Sequence, residues 1–200
     1  MDDKERHSAF MSALVTEHYV LQAAASATVS EAAARGSLYV YSLSSSLVAV
    51  GFVSRSPEAF RPFAAAVLPA VFVLGIFTIV RLVDTGIENQ EALRGIARIR
   101  GYYRTLTPDA ASYFSAENGR WPEKGSAPQL LSGAFVALLT TAASMIAFTN
   151  SVVAGAGVTL LLASLLGSER ISLALPLGVA AAVAVMAVFL AYQRRRYRSF

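Results

Sequence analysis

The sequence predicts an all-α integral membrane protein: four transmembrane helices, with long N-terminal and 2–3-loop helices extending from them into the cytoplasm. Three observations predict it. Apolar residues make up 55% and charged residues 15% of the 200 positions, where an ordinary soluble domain carries about 25% charged residues. Mean hydropathy is +0.51. The apolar residues are also gathered into runs of membrane length, since a helix rising about 1.5 Å per residue needs about 20 of them to cross a hydrocarbon core about 30 Å thick. No soluble core of this size could bury such runs, so a soluble globular domain is excluded.

The first element, residues 1–35, reads as a cytoplasmic helix that feeds straight into the first span. No proline precedes Pro57, and in the stretch from 8 to 53 only Gly36 and, near its end, Gly51 are glycine. Phe10, Leu14, His18 and Leu21 share one stripe, with Met11 and Val15 beside it, and Glu31 and Arg35 stand at i,i+4 spacing. The run QAAASATVSEAAARGS is nearly all small residues, a surface suited to close packing against other helices. Unbroken from 8 to 53, the helix would be on the order of 65 Å long. About half of it would stand outside the bilayer, where copies of itself are the simplest neighbours. The first 35 residues hold no short apolar core with a cleavage site, so no removable signal peptide is expected.

Residues 36–83 hold transmembrane helices 1 and 2. Span one is Gly36–Val53 and span two is Pro62–Val83, in which Pro69 removes a backbone hydrogen bond and is expected to kink the helix. The second helix then runs on into a cytoplasmic helical loop, 84–129. There Leu93, Ile96, Ile99, Tyr103 and Leu106 follow a three-four spacing. Thr107-Pro108-Asp109 predicts a stop and a new N-cap with proline at the first helical position, followed by a short helix through Phe114. Asn118-Gly119 and Trp121-Pro122 predict a turn-rich return to the membrane, with Trp121 at the interface.

Residues 130–192 hold transmembrane helices 3 and 4. Gln129–Gly167 contains no charge over 39 residues, either one long span with an overhang or a two-pass hairpin. Charge arbitrates. The 84–124 loop carries seven basic residues with Arg81, the tail after Tyr192 carries four, and Ser54–Arg61 with Ser168–Arg170 carries three. Basic residues stay cytoplasmic, and four spans put both basic segments on that side, whereas five would send the tail across. Ala143, Ala147, Ser151 and Gly155 also recur every four residues past Asn150, where a hairpin would have to turn. The third span is therefore placed at roughly 141–165, with 130–140 overhanging or lying at the cytoplasmic interface. The fourth is Ile171–Tyr192, followed by the basic cytoplasmic tail 193–200. The reading is a multi-pass protein of the cell membrane with both termini cytoplasmic.

For chemistry the chain offers little. It has no cysteine and two isolated histidines, His7 and His18, so no thiol chemistry, metal site or cofactor is expected. Without a phosphate loop, a nucleophile–base pair or a metal-ligand pattern, no catalytic residue is assigned and the chain is read as no enzyme. The net charge of +4 has its explanation in topology rather than in nucleic acid. No Asp, Glu, Lys, Arg or His lies well inside a span, which argues against a coupled carrier but not against a passive pore.

Three sets of residues could serve such a pore. Ser37, Tyr41, Ser44 and Ser45 make a hydroxyl face on span one, and Asn150 is the most polar side chain deep in span three. Both are pore-lining candidates, weighed against interhelical hydrogen bonding. Asp84, Glu88 and Glu91 would form an acidic vestibule, weighed against local pairing. Arg94, Arg98, Arg100 and Arg104 suit anionic lipid headgroups or a phosphorylated ligand, weighed against the ordinary basic side of a membrane protein.

The stretch TEHYVLQAAASATVSEAAARGSLYVYSLSSSLVAVGF, with MIAFTNSVVAGAGV and the basic tail, resembles a group of small, uncharacterised actinobacterial four-span membrane proteins. The resemblance covers most of the chain, implies the four-span outline and imports no activity or site. Small four-helix effectors of bacterial antiphage defence share that outline by architecture alone. Two functional expectations remain. One is a homo-oligomeric pore or ion channel gated through its cytoplasmic helical layer. The alternative is a non-transporting membrane scaffold or accessory subunit that binds a cytoplasmic protein partner or anionic lipid. Membrane lipids and further copies of the chain are the expected partners.

Overall fold

The computed structural model describes residues 2–114, 136, 138–167 and 170–199. These residues are mostly helical, with no strand among them: α1 (Asp3–Val53), α2 (Pro57–Tyr103), α3 (Ala110–Tyr113), α4 (Ala142–Leu166) and α5 (Ile171–Arg198). Four of them, α1, α2, α4 and α5, are long and apolar enough to cross a membrane.

The chain divides into two compact units. The first draws on Met1–Ala32 and Asp84–Ala137, the second on Ala33–Val83 and Leu138–Ser199. Helices α1 and α2 contribute to both, because nothing in their sequences breaks them. Gly36 sits in the middle of α1, and Pro62 and Pro69 lie within α2.

In the first unit α1 and α2 run antiparallel. On α1 the covered line is Met11, Leu14, His18, Leu21, Ala25 and Thr28, alternate steps of three and four residues that keep one seam toward a partner helix. Leu21 packs against Gly95, where an added Cβ would sit 2.7 Å from Leu21 Cδ1. The Thr28 hydroxyl donates to Asn89 Oδ1 at 3.3 Å. Phe10 and Val15 are about half exposed rather than on the seam, although Phe10 still meets Tyr102 edge-on at 5.5 Å between ring centroids. On α2, Leu93, Ile96 and Ile99 are buried as their spacing predicts, while Leu106 lies beyond the helix and is exposed.

Two expectations about ends shift by a few residues. Helix α2 begins at Pro57 rather than Pro62, since proline is suited to the first turn, where its missing N–H has no partner to lose. Ser54–Ser56 make a short turn closed by the Ser56 N–H donating to the Val53 carbonyl at 2.9 Å. Asp109 is the N-cap of α3, with Pro108 before it rather than inside the helix. The cap has αR backbone angles and its side chain makes no capping bond, because the carboxylate folds back onto the next amides only from an extended residue. Tyr103 and Phe114 meet across that turn with ring centroids 5.3 Å apart and planes tilted by 53°.

In the second unit α4 is one continuous helix through Asn150, as the four-span count requires, with Thr141 as its N-cap and Gly167 at φ 87° as its C-cap. The ladder Ala143, Ala147, Ser151 and Gly155 is buried. Helix α4 crosses α5 where Gly155 faces Gly178: a Cβ on Gly178 would collide with the Thr159 hydroxyl and stand 2.6 Å from the Gly155 carbonyl. Two helices without side chains at that point approach backbone to backbone. The Asn118-Gly119 and Trp121-Pro122 turns, and 130–135 of the overhang, lie outside the described residues.

Candidate functional site

The structure separates the two pore-lining candidates. Ser37, Tyr41, Ser44 and Ser45 are all exposed on α1, whereas Asn150 is completely buried. The phase of α1 explains the first. Tyr39 is its one fully buried residue in the second unit, and Ser42 and Ser46 are half-covered on the same side. Ser37, Tyr41 and Ser44 fall opposite, at steps of four and three that return to one face of a helix. Leu38, Val48 and Phe52, also exposed, flank these hydroxyls with apolar surface. In the first unit Tyr19, Ala23, Ser26 and Ser30 continue the same stepping and are exposed as well.

Asn150 belongs to the interior. Its Oδ1 accepts from the Tyr39 hydroxyl at 3.2 Å, and its Nδ2 donates to the Phe72 carbonyl at 3.2 Å. The amide fills the space left by the missing side chain of Gly75, where a Cβ would collide with it. One amide thus joins α1, α2 and α4. In a surrounding without water every such group needs an internal partner, and this one has a partner on each end.

A second polar cluster ties α4 to α5. Gln193 is buried, and its Nε2 donates to Thr141 Oγ1 at 2.8 Å, while the Ser144 hydroxyl lies 2.9 Å from Gln193 Oε1 and 2.6 Å from the Leu138 carbonyl. Thr141 also accepts from the Ser144 amide at 3.2 Å as the α4 cap. Beyond it, burial pushes the Tyr197 phenol above its usual pKa. Tyr39 and Gln193 escape sequence reasoning because each stands in a run where several polar residues occupy several faces.

Of the charged candidates, Asp84 is half-buried while Glu88 and Glu91 are exposed on α2. Arg98 is exposed, and Arg94, Arg100 and Arg104 are half-buried and engaged with other groups. Two polar atoms of the first unit, His18 Nδ1 and Gln90 Oε1, are buried without a hydrogen-bond partner among the described residues. No three His, Asp or Glu among the described residues gather as a metal site would require. Comparison with protein-family models, curated proteins and solved structures finds no match to this chain.

Proposed function

We propose that the protein is a homo-oligomeric membrane pore whose axis is lined by α1, with both termini cytoplasmic. The observation that carries this reading is the uncovered hydroxyl face of α1. Ser37, Tyr41, Ser44 and Ser45 are exposed on the Gly36–Val53 stretch of α1, which carries no charge, and hydroxyls facing hydrocarbon are unfavourable unless they find partners or water. Copies of α1 arranged around an axis satisfy them, and a ring of hydroxyls wets a passage without charge. Exposed Ala23, Ser26 and Ser30 of the first unit offer small side chains for association with further copies.

The test is ion flux from liposomes holding the purified protein, with particle mass measured in the same preparation. A defined oligomer that leaks ions is expected, and Ser45→Phe is expected to cut the flux severalfold without changing the mass. Unchanged flux in a correctly assembled Ser45→Phe protein overturns the assignment of α1 to the axis. A second reading, a non-transporting scaffold that recruits a partner or anionic lipid, draws on exposed Arg98 and its neighbours Arg94, Arg100 and Arg104. It predicts a defined oligomer that never conducts and that loses its partner when Arg94 and Arg98 are neutralised.

A further inference from the structure

The second unit carries a half-open apolar groove of about 710 Å³ lined by α2, α4 and α5. Its wall on α2 runs from Phe60 to Phe72 and its wall on α4 from Val153 to Ser164, and α5 adds Ala181 and Val185. Twelve helical rises from Phe60 to Phe72 make the groove about 18 Å long, close to one leaflet of a hydrocarbon core about 30 Å thick. The lining is almost wholly apolar except at one end. There Arg61 stands in the groove wall, exposed and without a hydrogen bond or ion pair among the described residues. It lies one turn into α2, beside the Ser54–Ser56 turn where the helix enters its apolar run.

From this arrangement we infer that the groove is a binding site for one anionic phospholipid of the leaflet on the Ser54–Ser56 side. An acyl chain lies along Leu68, Phe72 and Leu161, and the phosphate is paired with Arg61. The inference rests on the membrane-spanning reading of α2, α4 and α5 but not on a pore. Charge and length select the occupant together. A leaflet-long apolar trough with a single guanidinium at its headgroup end complements a molecule that is apolar for one leaflet and anionic at its end. A neighbouring apolar helix would fill the trough but leave Arg61 unanswered.

Gly157 supplies the means to close the groove. It lines the groove, and a Cβ added there meets nothing within 4 Å, so a large side chain enters open space rather than the core. The experiment is mass spectrometry of the intact protein released from detergent after incubation with phosphatidylglycerol, or with phosphatidylcholine bearing the same chains. About one retained phosphatidylglycerol per chain is expected, with clear preference over phosphatidylcholine. Gly157→Phe abolishes retention, and Ala65→Phe, from the facing wall, does the same. Arg61→Gln leaves the groove open but lowers phosphatidylglycerol retention about tenfold, the scale of one charge-assisted contact.

Retention unchanged in both groove-filling variants overturns the site, and a lipid preference that survives Arg61→Gln overturns the role of the guanidinium. A fall in oligomer mass in Gly157→Phe with lipid retention intact shows that a second copy occupies the groove, and likewise overturns the proposal. Flux measured on the same preparations separates this outcome from the pore. Protein that retains the lipid but never conducts refutes only the pore.

Discussion

Three helices of the second unit converge on Asn150, and the energetics of that one side chain can be bounded. Hydrogen bonds between helices in membranes are worth about 0.6 kcal/mol on average and up to about 1.7. An unpaired buried group costs about 1–3 kcal/mol. The second figure governs a truncation, because Asn150→Ala would leave the Tyr39 hydroxyl buried with nothing to donate to. Asn150→Ala is therefore expected to destabilise the protein by about 1–3 kcal/mol, read from the unfolding midpoint in mixed detergent micelles. Gly75→Ala is expected to cost a similar amount, since its methyl enters the volume of the amide. The two costs must not add. With the amide removed the methyl has room, so Gly75→Ala in the Asn150→Ala background should cost less than in the native protein, and additive costs would show that the two sites do not share that space. Sequence reasoning could single out Asn150 as the most polar residue in its span but not its role. A pore-facing amide and an interior one look alike until the phase of α1 puts Tyr39, rather than Ser37, toward it.

At the scale of the helices, the legible features were those carried by long stretches. The continuity of α1 and α2 followed from the absence of proline before Pro57 and from apolar spacing that persists past Val83. The single passage of α4 followed from the four-residue ladder that crosses Asn150. Faces were less legible. The SLYVYSLSSS run sets hydroxyls on every side of α1, and which side is covered is decided by where Tyr39 packs. Partner choice was hidden too. The ladder on α4 is as suited to another subunit as to α5, and only the apposition of Gly155 with Gly178 assigns it. That apposition makes a paired prediction. Gly178→Ala pushes a methyl against a backbone carbonyl and the Thr159 hydroxyl, so α4 and α5 must separate and the unfolding midpoint should fall. Gly36→Ala meets nothing within 4 Å and removes a helix-interior glycine, a gain of about 0.5–1 kcal/mol. The two midpoints should move in opposite directions. If both rise, the α4–α5 crossing is not close.

For the whole molecule the decisive quantity is the number and direction of crossings. Arg194, Arg195, Arg196 and Arg198 follow the last apolar run within about a turn and a half, whereas Arg55 and Arg170 stand in the two short connections and Arg61 one turn into α2. Each basic residue near an anionic cytoplasmic surface contributes about 1 kcal/mol, so the tail outweighs either connection in setting direction. The absence of cysteine turns this into a direct measurement, because any thiol introduced is the only one in the chain. Ser12, Ser54 and Ser199 are all exposed and differ from cysteine by one atom. In intact cells an impermeant maleimide should label Ser54→Cys and leave Ser12→Cys and Ser199→Cys untouched until the membrane is opened. The inverse pattern would keep four crossings and overturn the direction. Labelling of Ser54→Cys and Ser199→Cys from the same side would overturn the count itself. An odd number of crossings would then separate the two ends of the chain, and the basic tail would stand on the side that arginine-rich segments avoid.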